Sequence, residues 1–327
     1  MTVAEYMDAC LNDPRDGYYA IHPSLGEAGD FITAPLVSQM FGELIGAWAA
    51  EVWRRLGSPP RVRLVELGPG DGTMMTDILR AASTWPGFRA VIDLVLVETS
   101  SPLRARQARR LQARWITDLD EIGDDLPAIL VGNEFLDCFA IRQAVMTGDG
   151  WRERLIGIGP TGDLEFIPGD PLPEIDQKAH PGDIFEWSPD LANLATRIGA
   201  LAIRTGGAAL FVDYATDGLG DTLQALRRHH KVSPLAHPGQ ADLTARVNFN
   251  AFLAAAAPAV TFGPVSQASF LMRLGLEARA AALARVHPYR AAKISRQVRR
   301  LVSTAQMGQL FQVACIAAPG VAPPGFG

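Results

Sequence analysis

The chain has 327 residues, a formal net charge of −5, 48% apolar residues and 20% charged ones. That is enough chain for a substantial core with an ordinary globular balance, and it excludes global disorder and whole-chain attraction to nucleic acid. Cys10, Cys138 and Cys315 form no CxxC and no ligand cluster, so no metal and a reducing, cytoplasmic setting are expected. The apolar stretch 251–260, broken by Pro258, is too short to span a membrane.

Residues 1–35 mix turn signals, Asp13-Pro14 and Asp16-Gly17, with tyrosines. Over 36–56, Val37, Met40, Phe41, Leu44, Ile45, Trp48 and Val52 recur at helical spacing, and Pro59-Pro60 ends the helix. A strand over 63–67 runs straight into Gly68-Pro69-Gly70-Asp71-Gly72-Thr73, and a helix over 73–82 follows. After a turn at Trp85-Pro86-Gly87 come a strand over 91–97, a helix over 102–113, a short strand at 115–116, an acidic loop over 118–125 and a buried strand over 128–131. Arg104, Arg106, Arg109, Arg110 and Arg114 read as a solvated helix face. The alternation predicts an α/β fold, a doubly wound, mostly parallel, Rossmann-like sheet with crossover helices. Right-handed crossovers put the strand ends, and hence the ligands, on one edge.

The Gly- and Pro-rich region 140–190 reads as an inserted small subdomain, with antiparallel strands over 151–158 and 164–167. The core resumes with a helix over 191–204 and a strand over 208–212 that ends in Asp213-Tyr214. Residues 215–247 read as polar loop. Helices over 250–257 and 270–286, a strand over 311–317 and a Pro/Gly-rich tail complete the chain. The expected organisation is a segment covering the cofactor pocket (1–58), the first half of the core (59–139), the insertion (140–190), the second half with substrate-side loops (191–318) and a tail (319–327).

The sharpest motif is Glu66-Leu67-Gly68-Pro69-Gly70-Asp71-Gly72. A nucleoside with a charged amino-acid tail has to lie against bare backbone there, which Gly68, Gly70 and Gly72 provide. Glu66 can accept from the ligand's ammonium. A dinucleotide site wants G-x-G-x-x-G with a pyrophosphate at the helix start. Here the third glycine comes one residue early and an acid stands before the first, which favours S-adenosylmethionine (SAM). Glu98, ending the second strand, can accept both ribose hydroxyls; a solvated strand-end Glu is the alternative. Asp118 can accept from an adenine amino group with Leu119 against the ring, or serve as a helix cap. Asn133, Glu134 and Asp137 follow a buried strand at the edge that would face the transferred methyl.

In ordered combination the sequence resembles the MidA-like methyltransferases, a family that includes the mitochondrial complex I assembly arginine methyltransferase. The resemblance rests on Asp13-Pro14 with Gly17-Tyr18-Tyr19, on 29–35 and 38–43, on the glycine turn, and on Asn133-Glu134-Phe135-Leu136-Asp137, Asp213-Tyr214, 242–245 and Met307-Gly308. It implies a class I methyltransferase core in which Phe31, Thr33 and Pro35 line or cover the SAM pocket. The family pattern differs at Leu36 (Glu), at 138–140 (Ala-Leu-Pro), at Arg246 (His) and at Asn248 (Asp). The cofactor turn is therefore intact while substrate-side positions have changed.

The expected chemistry is in-line attack of a nitrogen nucleophile on the sulfonium methyl, with Glu134, Asp137 and Asp213 orienting it and one of them taking the proton. His229 and His230 are alternative bases. A protein, a peptide or a small molecule could be the methyl acceptor, and a homodimer is compatible with the sequence. The competing readings are a non-catalytic SAM-binding assembly factor, favoured by Leu36 and Arg246, and an NAD- or FAD-dependent oxidoreductase, which the glycine spacing opposes.

Overall fold

A computed structural model describes residues 1–21, 33–85, 87–228 and 230–327. Its first helix, α1 (Val3–Asn12), starts at a capping box in which the Thr2 hydroxyl accepts from the Glu5 N–H and the Glu5 carboxylate from the Thr2 N–H. Helix α2 (Tyr18–Ile21) follows. The helix expected over 36–56 is in fact two, α3 (Ala34–Val37) and α4 (Gln39–Arg55). Ser38 divides them in extended conformation, and its hydroxyl caps α4 at the Met40 N–H.

Then β1 (Val62–Leu67), α5 (Thr73–Ala82), α6 (Phe88–Val91), β2 (Ile92–Val97), α7 (Ser101–Gln107), β3 (Arg114–Ile116) and β4 (Ala128–Asn133) alternate along the chain. Helix α7 stops well short of the expected 113, and the chain runs on as a turn over 108–110; the Gln107 side chain is fully buried. In place of two strands, 140–190 holds four: β5 (Arg142–Thr147), β6 (Gly150–Ile158), β7 (Leu164–Pro171) and β8 (Ile184–Trp187), an antiparallel sheet in the order β7-β6-β5-β8. Helix α8 (Pro189–Thr205) and β9 (Ala208–Tyr214) return the chain to the core.

The stretch read as polar loop contains β10 (Gln224–Arg227), β11 (His230–Val232) and β12 (Asp242–Thr244), a small antiparallel sheet. It was hidden because these strands are three or four residues long and carry polar side chains. The rest is α9 (Phe249–Ala255), β13 (Val260–Ser266), α10 (Gln267–Arg273), α11 (Leu276–Val286), α12 (Ala291–Val302), α13 (Met307–Leu310) and β14 (Phe311–Ala317). The single helix expected over 270–286 is thus divided at Leu274-Gly275.

The main sheet has the order β13-β14-β9-β4-β1-β2-β3. All neighbours from β9 to β3 are parallel, and β14 runs antiparallel to both β9 and β13. This is the expected doubly wound α/β architecture. β1 is buried at every position, as a parallel strand covered on both faces must be. Val62 and Leu64 pack with α4, α5 and the C-terminal helices, whereas Val65 and Leu67 face α8 and α9. Helix α4 comes close to α5 because Gly42 and Gly46 lie against it: a Cβ on Gly42 would sit 2.6 Å from the Asp77 Cβ, and one on Gly46 2.7 Å from the Ile78 carbonyl oxygen.

Candidate functional site

The strand order reverses between β1 and β4, since the chain goes from β1 outward to β2 and β3 on one side and from β4 outward to β9 on the other, and the crevice outside their carboxyl ends is where open α/β sheets take ligands. The turn after β1 is built for an uncovered backbone. Gly68 has φ +62°, and a Cβ there would meet the Phe135 ring at 2.8 Å. Gly70 (φ +54°) has no atom within 4 Å of the place a Cβ would occupy, and Gly72 (φ +80°) opens α5 in left-handed conformation. Only glycine adopts three such conformations in five residues without strain.

Glu66 continues the Val62–Leu64 face of β1 into this crevice. It is 2% exposed, and its Oε2 has no hydrogen-bond partner. Burial, with Asp71 and Glu98 nearby, raises its pKa well above the carboxylate range. A buried carboxylate without a donor is costly, and a ligand ammonium would supply one. Glu98 is also buried. Its Oε1 accepts from the Ser100 N–H at 2.8 Å and its Oε2 from Gln107 Nε2 at 3.2 Å. The Gln107 amide also donates to the Gly70 carbonyl at 2.8 Å and accepts from Trp115 Nε1 at 2.8 Å. Gln107 therefore ties the glycine turn to the acid after β2. No spacing in the sequence marks it, because it reads as one more polar residue on a basic helix.

The second half of the crevice is acidic. Asn133 ends β4, and Glu134 follows at φ +49°, a backbone conformation that non-glycine residues avoid. Asp213, at the end of β9, explains the turn: its Oδ2 accepts from the N–H groups of Phe135, Leu136 and Asp137 at 3.0, 2.8 and 3.3 Å. Asp213 is thus held by backbone and shapes the loop. Its pKa is nonetheless pushed up to about 7, since burial outweighs the donated bonds. Glu134 Oε1 accepts from the Ala34 N–H at 3.2 Å and from Asn133 Nδ2 at 3.1 Å, while Asn133 Oδ1 is buried without a partner. Burial and Asp213 raise Glu134 to about 7. Asp137, 5% exposed, is raised well above its ordinary value by burial, then by Asp213 and Glu134.

Behind Asp137 lies a chain that sequence reading missed. The Cys138 thiol donates to Asp137 Oδ1 at 3.3 Å, and the Tyr19 hydroxyl lies 3.0 Å from the Cys138 sulfur and 3.4 Å from Asp242 Oδ1. No basic side chain forms an ion pair with Glu134, Asp137 or Asp213 among the described residues. These carboxylates also make no metal cage there.

Phe31 lies outside the described residues, as does His229. Thr33 precedes α3 without capping it through its side chain, Pro35 is buried in that helix, and the Ala34 N–H at its start donates to Glu134. Asp118 is the cap of a short turn over Leu119–Ile122 and pairs with Arg197, while Leu119 packs among Val65, Ile116 and Ile122. The helix-cap alternative expected for Asp118 is thus the one its own contacts display, with Arg197 as a partner and Leu119 turned to the core. His230 stands on β11, exposed. Arg246 is exposed beside the small sheet.

Comparison with known proteins agrees with this geometry. A family profile described as "Putative S-adenosyl-L-methionine-dependent methyltransferase" matches residues 44–265. The chain is 35% identical over 314 residues to protein arginine methyltransferase NDUFAF7, mitochondrial, of Xenopus tropicalis, covering 85% of this chain and 73% of the relative. The Homo sapiens protein of that name is 34% identical over 313 residues, covering 85% and 71%. The crystal structure of a COG1565 superfamily member from Burkholderia thailandensis, bound to S-adenosyl-homocysteine, superposes with a TM-score of 0.85 at 26% identity, over 98% of this chain and 88% of that one. These relatives overturn the expected cytoplasmic location, since both arginine methyltransferases are named as mitochondrial. Free cysteines report a reducing environment and do not say which compartment provides it. By profile, sequence and structure alike, the chain belongs to the S-adenosylmethionine-dependent methyltransferases of the MidA-like family.

Proposed function

We propose that the chain is a protein arginine N-methyltransferase whose acceptor guanidinium is received by Glu134 and Asp137. The observation that carries this reading is an acidic edge whose Glu134, Asp137 and Asp213 have no ion-pair partner among the described residues, next to a bare-backbone turn. Glu66, Glu98, Gly68, Gly70 and Gly72 would hold the cofactor, which supplies an electrophilic methyl group on a sulfonium. Asn133 Oδ1 and Glu66 Oε2, both buried and unpaired, would gain donors when the two ligands bind. The chain's own part is then positional and electrostatic. Two carboxylates can hold a guanidinium in a fixed plane by charge-assisted hydrogen bonds, and a carboxylate with pKa near neutrality can take the departing proton. Asp213 acts through the loop it holds. The relatives' name, protein arginine methyltransferase, supports the acceptor class.

The test uses SAM labelled in its methyl group, incubated with the enzyme and protein extracts, followed by amino-acid analysis of the labelled protein. Label in methylarginines is expected. Label in lysine or histidine, or only in small molecules, would replace the proposed acceptor. The Glu134→Gln variant should bind SAM with unchanged affinity in calorimetry and lose transfer by about a hundredfold or more; full turnover would remove Glu134 from the chemistry.

A further inference from the structure

The chain as a whole is acidic, yet no acidic residue follows Glu277. Arg279 is held by Glu43. The six bases that come after it, Arg285, Arg290, Lys293, Arg296, Arg299 and Arg300, are all exposed, and none has an ion-pair partner among the described residues. On α12, Ile294, Val298 and Leu301 pack into the core. Lys293, Arg296 and Arg300 share the side turned away from it, by the helical period. At the turn between α11 and α12, Val286 and Tyr289 stand out of the surface at 69% and 77% exposure. Arg285 and Arg290 flank them, and the Arg290 guanidinium lies 5.4 Å from the Tyr289 ring centroid.

Basic helix faces are usually just solvated. This one combines a single-sign field with an apolar, aromatic tip. An acidic protein or a nucleic acid would satisfy the cations, but neither requires Val286 and Tyr289 at the apex. A bilayer with anionic headgroups accommodates both, since its interface takes aromatic and aliphatic tips while its phosphates attract flanking Lys and Arg. We propose that the α11–α12 hairpin docks this protein peripherally on an anionic lipid surface, with Val286 and Tyr289 in the headgroup layer and Arg285, Arg290, Lys293 and Arg296 on lipid phosphates. The docked face adjoins the acidic edge: Gln297 Nε2 donates to the Val37 carbonyl at 2.7 Å, and the N–H at the start of α3 is the one that bonds Glu134. Docking would present that edge beside the membrane. The proposal does not depend on which acceptor is methylated.

The test is co-sedimentation of the full chain with vesicles of phosphatidylcholine alone and of phosphatidylcholine mixed with phosphatidylglycerol. Binding to the mixed vesicles only, weakening with added salt, is expected. At about fivefold per cation near the surface, the double variant Lys293→Glu/Arg296→Glu should bind at least about twentyfold more weakly. Val286→Ser/Tyr289→Ser should also lose binding at unchanged charge. Melting temperature and SAM affinity, unaltered in both variants, would show that each is folded. Equal binding of the two vesicle types, or none, would overturn the proposal. So would an unaffected Val286→Ser/Tyr289→Ser variant, because that points to a partner read by charge alone.

Discussion

A single carboxylate, Glu134, carries several opposed demands. Its backbone is held at φ +49° because its own N–H donates to the Val212 carbonyl at 2.9 Å while the next three N–H groups converge on Asp213. Such a conformation costs about 1–3 kcal/mol and persists only where the surroundings over-determine it. Both Glu134 and Asp213 are raised to about 7. A raised carboxyl binds its proton more tightly folded than unfolded, so its stabilising effect is complete below the unfolded pKa and is lost as pH rises through the folded one. The ligand-free protein should therefore melt at progressively lower temperature as pH goes from about 5 to about 8, and Glu134→Gln should flatten that slope in a calorimetric pH series. Transfer should respond in the opposite direction. The rate constant kcat/KM is expected to rise with pH through about 7 as Glu134 ionises. An activity profile flat across that range would show that another group takes the proton.

At the level of elements, the turn after β1 shows why part of the site was readable. Three glycines and an acid at fixed spacing mark a strand-to-helix turn, and the structure gives each glycine a positive φ. Gly68→Ala would add both left-handed strain and a contact of 2.8 Å with Phe135. It should weaken SAM binding measurably in calorimetry and lower stability by about 1–2 kcal/mol. Gln107 could not be found in the same way, because nothing about its spacing sets it apart from the arginines around it. Replacing it with Leu would strip donors from Gly70 O and Glu98 at once. We expect a SAM affinity lower by about tenfold, the worth of roughly one buried hydrogen bond, and a lower melting temperature of the ligand-free protein, because Gly70 O, Glu98 and Trp115 Nε1 lose partners in the apo state as well. The same contrast runs through the fold. Strands such as β4 and β9 are visible because burial on both faces leaves an unbroken apolar run over 128–131 and 208–212, with polar residues only at the ends that reach the site. The strands β10 to β12 are short and half polar, and their pairing is decided by tertiary contacts, as when the Ala245 N–H beyond β12 donates to the Asp137 carbonyl at 3.0 Å.

Across the whole molecule, the family-like run 38–43 holds helix layers together through Glu43. Glu43, 5% exposed on α4, accepts from both Arg279 nitrogens, Nε and Nη2, at 2.8 Å, from Arg80 of α5 at 3.3 Å and from Gln39 at 3.1 Å. One carboxylate thus joins the first helix layer to the C-terminal helices that carry the basic hairpin. Sequence alone could match Glu43 to a motif but could not tell a ligand contact from a clamp between helices 236 residues apart. The geometry favours the clamp, since Glu43 is bonded by Gln39, Arg80 and Arg279 among the described residues. Only the Glu43 end of this clamp is buried, while Arg80 and Arg279 are 46% and 38% exposed, so its loss costs less than that of a fully buried pair. Glu43→Ala should therefore lower the melting temperature by several degrees, with Arg279→Ala producing a smaller shift because Arg80 remains. SAM affinity measured well below the transition should be unchanged in both variants. If either variant instead lost SAM binding while melting normally, Glu43 would belong to the cofactor pocket and the clamp would be a by-product of its position.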